Sequence, residues 1–278
     1  MINRIIVGTD GSEYAISAED YGIYLSKKLK RPVLAVYVMD LRLINEAFIE
    51  DLLGMLGFTE YINLSEKMKE YLDKKGEAIL KAFAVKCRNA GADCSIAQIY
   101  GVVAEELVNI ADPEDLLIVG KKGLHEDLLP LHIGSTTDAV VKKAKCPVLV
   151  TEKKFKEPKN IAICFDGREK SMKAIEYVNY LNKYLNFDSI KVITVLNDKI
   201  NRDEIEIKLA KNAQFEYELI LLEGYPEEKL EEYLNSNIDN IDLAVIGAFG
   251  ESKLKELILG STTLYLLHKV KLPILVIK

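Results

Sequence analysis

The chain has 278 residues, 49% of them hydrophobic, and a formal net charge of −6 with acidic and basic residues interspersed. That length suits one large domain or two ordinary ones with a substantial core. The charge balance offers no long-range attraction for nucleic acid or an anionic membrane, so any phosphate site must be built locally from amides and a few lysines.

In chain order, a short apolar strand is expected over 4–9 and a helix over 13–29, where apolar residues recur at helical spacing. A strand over 32–38 and a long helical region follow. Next come a strand over 94–100, a helix over 103–110, a strand over 116–119, a helix over 135–143 and a last strand over 147–151. The Val, Ile and Leu runs alternate little with polar residues, as in parallel strands covered on both faces. Strand and helix in alternation imply right-handed crossovers and a doubly wound sheet.

The chain then repeats itself. Asp10-Gly11 aligns with Asp166-Gly167, an offset of 156, and Ala18, Tyr21, Tyr24, Leu25 and Leu29 meet Ala174, Tyr177, Tyr180, Leu181 and Leu185. Gly101 aligns with Gly224, an offset of 123, Gly134-Ser135-Thr136-Thr137 with Gly260-Ser261-Thr262-Thr263, and Pro147 with Pro273. The first copy therefore carries 156 − 123 = 33 extra residues, between about Met39 and Gly101. Two tandem α/β domains are expected, 1–154 and 158–278, joined by a charged stretch containing Pro158. Each is read as a flavodoxin-like or Rossmann-like five-stranded parallel sheet of order 3-2-1-4-5. The insertion, about 41–75, reads as one or two amphipathic helices, with Met55, Leu56 and Phe58 buried against the same or a partner chain. A lid over the first site is the alternative. The last strands, short, apolar and at a sheet edge, are expected to pair with each other in an intramolecular pseudo-dimer.

Cys87, Cys94, Cys146 and Cys164 have no CxxC spacing and read as buried free thiols of a reducing cytosol. No apolar run approaches the ~20 residues of a membrane span, and Asp10 stands where a signal peptide needs its apolar stretch. A cytoplasmic protein without a membrane or nucleic-acid partner is expected. His125, His132 and His268 have no metal-ligand spacing, and no metal site is expected.

The glycines carry the functional signal. Gly120 and Gly123 follow the strand over 116–119, and Gly134-Ser135-Thr136 opens the next helix; Gly247, Gly250 and Gly260-Ser261-Thr262 repeat the arrangement. In the expected strand order, Asp10 and Gly120 end neighbouring strands where the order reverses, as do Asp166 and Gly247, and such crevices bind ligands. Glycine admits a close approach of backbone to ligand, and a helix start offers amides to phosphate. A carboxylate there accepts bonds from a ribose hydroxyl or an adenine amino group. Lys121 and Lys122, between the first two glycines, are candidates for neutralising phosphate.

With these motifs the sequence resembles the universal stress protein family, over essentially its whole length. The "IIVGTDGSE" opening, the "VYVMD" second strand and the "CPVLV" last strand contribute. So does the Gly-x2-Gly-x9-Gly-Ser/Thr pattern of the family's ATP-binding members, which Gly247, Gly250, Gly260 and Ser261 match without a gap. The first copy has ten residues, not nine, before Gly134. The resemblance implies adenine and ribose contacts at Asp10, Val38 and Val119, and at Asp166, Val195 and Ile246. It implies phosphate contacts at the glycines, Ser135 and Ser261, with Thr136 and Thr262 alongside. It also implies an ATP- or AMP-binding stress-response regulatory protein, with magnesium accompanying ATP, and homodimers of chains in keeping with the family's dimers. No general base, arginine finger or nucleophile–base pair is evident, so the ligand is expected to be held rather than processed. A nucleotide-free interaction scaffold and a slow magnesium-dependent ATPase are the other readings. The extra residue before Gly134 is expected to make the first site the weaker. His132-Ile133-Gly134-Ser135 resembles part of the HIGH motif of aminoacyl-tRNA synthetases but is in the wrong place in the chain.

Overall fold

The computed structural model describes residues 2–43, 64–124, 133–197, 200–248 and 260–278. In the first half, strands β1 (Ile5–Gly8), β2 (Val33–Asp40), β3 (Cys94–Gly101), β4 (Leu116–Gly120) and β5 (Val148–Thr151) alternate with helices. These helices are α1 (Glu13–Leu29), α2 (Leu64–Ala90), α3 (Val103–Ile110) and α4 (Ser135–Lys143), with a 3-10 turn at Leu41–Leu43. The second half has β6 (Asn160–Cys164), β7 (Ser189–Leu196), β8 (Glu218–Glu223), β9 (Leu243–Gly247) and β10 (Ile274–Ile277). Its helices are α5 (Glu169–Leu185), α6 (Arg202–Asn212), α7 (Pro226–Ser236) and α8 (Ser261–Lys269).

Within each half all strand pairs are parallel, in the order β3-β2-β1-β4-β5 and, mirrored, β10-β9-β6-β7-β8. The halves join by antiparallel pairing of β5 with β10, Val150 opposite Ile274 and Val148 opposite Val276, into one ten-stranded mixed sheet. The expected pseudo-dimer is thus present, and each short apolar edge covers the other. Successive strand residues face opposite layers. Ile5 and Val7 pack under α1 and α2, Ile6 under α3 and α4, and the second half repeats this with α5 and α6 against α7 and α8.

An Asp-Gly turn leads from the first strand into the first helix of each copy, from β1 into α1 and from β6 into α5. Gly11 at φ +79° and Gly167 at φ +74° occupy the region that side chains resist, which is why Asp-Gly recurs there. Ser12 then caps α1, its side chain accepting from the Ala15 amide at 3.2 Å. The linker is tied down rather than loose. Phe155 packs edge-on against Tyr21 at 4.7 Å, and the Tyr21 hydroxyl donates to the Lys156 carbonyl at 2.9 Å. Lys156 meets Asp242 at 2.6 Å, while the other Asp242 oxygen accepts from the Lys159 and Asn160 amides at 3.0 and 2.7 Å. Burial opposes ionisation of Asp242, but Lys156 and these amides outweigh it and hold the carboxyl below its usual range.

One sequence expectation is corrected. Cys87 and Cys94 form a disulfide, with Cα atoms 6.4 Å apart; among the described residues Cys146 and Cys164 are free and buried. The end of α2 turns directly into β3, which brings two cysteines seven positions apart together without any CxxC pattern. The thiols therefore no longer argue for a reducing compartment. No helix among the described residues is long and apolar enough to cross a membrane. Of the insertion, 44–63 lies outside the described residues, including Met55, Leu56 and Phe58. The part from Leu64 onward is the first portion of α2.

Candidate functional site

In the first half β1 lies between β2 and β4, and the candidate site is at the carboxyl ends of these strands. Asp10, two residues beyond β1, faces the loop that follows β4. One carboxylate oxygen accepts from the Ser12 amide at 2.9 Å and the other from the Leu124 amide at 3.2 Å. Gly123 lies against the same carboxylate, where a Cβ would stand 3.1 Å from Asp10 Oδ2. Asp10, Gly120 and Gly123 are thus brought together. The Thr137 hydroxyl donates to the Gly120 carbonyl at 2.7 Å, and the Gly134 amide donates to the Lys121 carbonyl at 2.8 Å, which fixes the start of α4 beside the end of β4. Gly134 caps α4 with φ −63° and ψ 147°, a conformation open to any residue, and among the described residues no side-chain hydrogen bond caps the helix there.

The second half repeats this frame. The Arg168 amide donates to Asp166 Oδ1 at 3.0 Å, as the Ser12 amide does to Asp10. Gly260 caps α8 with φ −67° and ψ 155°, again without a side-chain cap, and the Thr263 hydroxyl reaches the Gly247 carbonyl at 3.3 Å. Two contacts are particular to this half. The Ser171 hydroxyl donates to Asp166 Oδ1 at 2.7 Å. The Thr262 hydroxyl donates to Glu227 Oε1 at 2.8 Å, with Ser261 Oγ at 3.4 Å from the same oxygen. Gly250 lies outside the described residues.

The first glycine of each motif has a packing reason. A Cβ on Gly120 would lie 2.7 Å from Tyr14 Cβ and 2.8 Å from the Tyr14 carbonyl carbon; on Gly247 it would lie 2.5 Å from the Lys170 carbonyl oxygen. Strand end and helix backbone touch there, and only glycine fits. Val38, Val119, Val195 and Ile246 stand near the carboxyl ends of β2, β4, β7 and β9 with their side chains buried in the core. Backbone groups are what these four can turn to a ligand.

Lys121 is not a phosphate ligand in this arrangement. It is buried, and its ammonium donates to Glu152 at 2.8 Å and to the Val270 carbonyl, across the junction of the halves, at 2.5 Å. Lys122 is buried as well. Cys164, at the end of β6, is an inert thiol: burial, then the Asp166 charge, pushes it up to about 12. Burial first and then the Asp10 charge also raise the Tyr37 hydroxyl. Among the described residues no cluster of three or more His, Cys, Asp or Glu could hold a metal ion. Sequence reasoning gave no role to Thr137, Thr263, Ser171 or Glu227. The Gly-Ser-Thr-Thr repeat was the available signal for the two threonines.

The model of the Universal stress protein family matches residues 1–152 and 184–278. Over 99% of both chains, the sequence is 25% identical to a universal stress protein of Synechocystis. It is 30% identical to one of Methanocaldococcus jannaschii over 56% of this chain and 86% of that one. The fold matches the crystal structure of a universal stress protein from Archaeoglobus fulgidus with a TM-score of 0.75 and 18% identity, covering 99% and 98% of the two chains. With both copies matched and joined in one sheet, the chain belongs to the universal stress protein family as a tandem two-domain member spanning its whole length.

Proposed function

We propose that this chain binds an adenine nucleotide, ATP or AMP, at the carboxyl ends of its strands and holds it, acting as a stress-response regulatory protein. One observation carries the reading. Asp10 and the Gly120–Gly123 loop meet at the strand-order reversal, beside a helix whose cap is glycine in an ordinary conformation. No positive φ calls for glycine at Gly134, and a glycine at this helix start leaves room for close approach of a phosphate. In this reading, backbone groups of Val38 and Val119 and the Asp10 carboxylate receive the base and sugar. Gly123, Gly134, Ser135 and Thr136 receive the phosphates, and Asp166, Val195, Ile246, Gly247, Gly250, Gly260, Ser261 and Thr262 are the matching set of the second half. The groups gathered are acceptors, amides and hydroxyls suited to holding a ligand. Magnesium would enter as the companion of ATP, and whole chains would associate as homodimers.

The test is a mass spectrum of ligand released from the purified protein, followed by calorimetry of stripped protein with ATP and AMP. Released adenine nucleotide and saturable binding, lost in Gly134→Val with Gly260→Val, are expected. Failure of stripped protein to bind either nucleotide would leave the scaffold reading in its place. Magnesium-dependent phosphate release would identify a slow ATPase.

A further inference from the structure

In the second half, the place a phosphate would take is in contact with the protein's own carboxylate. Gly260, the cap of α8, has no side chain to offer its first turn, and among the described residues no side-chain cap is seen there. Glu227, in the first turn of α7, accepts from Thr262 Oγ1 at 2.8 Å and lies 3.4 Å from Ser261 Oγ. A carboxylate suits the positive end of a helix for the same reason a phosphate does. The other end of this crevice is engaged too: Asp166 accepts from the Ser171 hydroxyl at 2.7 Å and faces Arg168 Nε at 3.7 Å.

The first half carries other residues at both places. The repeat offset of 123 sets Ala104, a small buried residue, where Glu227 stands, and the offset of 156 sets Ala15 where Ser171 stands. The adjacent Glu105 is directed to Lys143 at 3.3 Å. Asp10 and Asp166 are both engaged, Asp10 by the Ser12 and Leu124 amides, so the difference between the halves lies at the helix start, where Glu227 meets Thr262 and its counterpart is Ala104.

We propose that Glu227 is a built-in occupant of the second half's phosphate position, so that nucleotide is taken by the first half while the second stays closed. This rests on the nucleotide-binding reading above. It reverses the order of affinities that loop length alone implies. A bound phosphate in the second half would have to displace Glu227 from Thr262 and then tolerate its negative charge nearby. Removing the carboxylate should therefore open a second binding event, at least tenfold tighter than any the second half has in the native chain.

The experiment is calorimetric titration of the stripped full chain with ATP. The native chain should bind one ATP, Asp10→Ala should bind none, and Glu227→Ala should bind two. Asp10→Ala combined with Glu227→Ala should bind one. Glu227→Gln, which keeps an acceptor without the charge, should fall between the native chain and Glu227→Ala, and guards against misfolding of the alanine variant. Two events in the native chain, or one that survives Asp10→Ala, would overturn the inference and leave the nucleotide-binding reading standing. So would an unchanged single event in both Glu227 variants. No binding by any variant would overturn the nucleotide-binding reading and this inference with it.

Discussion

Alanine at Gly247 tests whether the first glycine of each motif is held by packing. The added methyl would lie 2.5 Å from the Lys170 carbonyl oxygen, 2.6 Å from its carbon and 2.8 Å from the Ser171 amide nitrogen. Carbon contacts are comfortable at about 3.5 Å, so β9 and the start of α5 must part by about 1 Å. All three obstacles are backbone and cannot swing aside. Overpacking of this kind costs about 1–3 kcal/mol, and the rigid partners place Gly247→Ala near the upper end. Gly120→Ala, whose methyl meets Tyr14 Cβ at 2.7 Å, should fall in the same range. Among the described residues Gly123→Ala meets only a carboxylate oxygen at 3.1 Å and should lose less than about 1 kcal/mol. The chain has no tryptophan, so far-ultraviolet circular dichroism through a urea titration is the natural assay. A Gly247→Ala protein within about 0.5 kcal/mol of the native one would refute the packing argument and return this glycine wholly to the ligand.

At the junction of the halves, Lys121→Met should cost about 2–3 kcal/mol, because it strands the Val270 carbonyl and the partly buried Glu152. The same loss in a background already carrying Glu152→Gln would show that the Glu152 bond contributes nothing, and the double-mutant cycle reads this directly. Asp242 is held below its usual range when folded, so its contribution is full above the unfolded pKa and is lost as pH falls through the folded one. The stability advantage of the native chain over Asp242→Asn should be level from about pH 5 to 7 and shrink below about pH 4. An advantage independent of pH would mean that shape rather than charge matters there.

Much of the fold was legible because its signals are local. The helices over 13–29, 103–110 and 135–143 begin and end where the spacing of apolar residues and the flanking Ser12, Gly134 and Pro147 place them. The strand expected to end at Val38 runs on to Asp40, because Asp40 pairs with Gly101 of β3, a partner that no local pattern announces. The pairing of β5 with β10 was foreseeable from two exposed apolar edges. The meeting of Asp10 with Gly123 was foreseeable from strand order. What escaped were contacts between residues far apart in sequence. Lys121 looks like a loop lysine until the Val270 carbonyl, 149 positions away, is seen to receive it. Glu227 was nearer to hand: once Gly101 is aligned with Gly224, Ala104 against Glu227 is a visible charge difference, but only the packing of α7 on α8 gives it a partner.

The junction also explains how two copies could diverge in their sites while keeping one architecture. Each half places a lysine on the carboxyl end of the other's last helix, where a cation is favoured. In the first half it is Lys121, from the glycine loop, reaching Val270. The residue matching Lys121 in the second half is Ala248. There Lys278, which matches Glu152, donates to the Val141 carbonyl, and burial pushes its ammonium down to about 8. The contact is conserved in kind between the halves but built from different positions. In a homodimer of single domains any substitution appears on both sides of such a junction. A fused chain lifts that constraint, so Glu227 can meet Thr262 in one half while Ala104 stands at the matching place in the other. Lys121 is committed to the junction, so in the nucleotide-binding reading proposed above the first half would hold phosphate chiefly through the amides and hydroxyls that open α4.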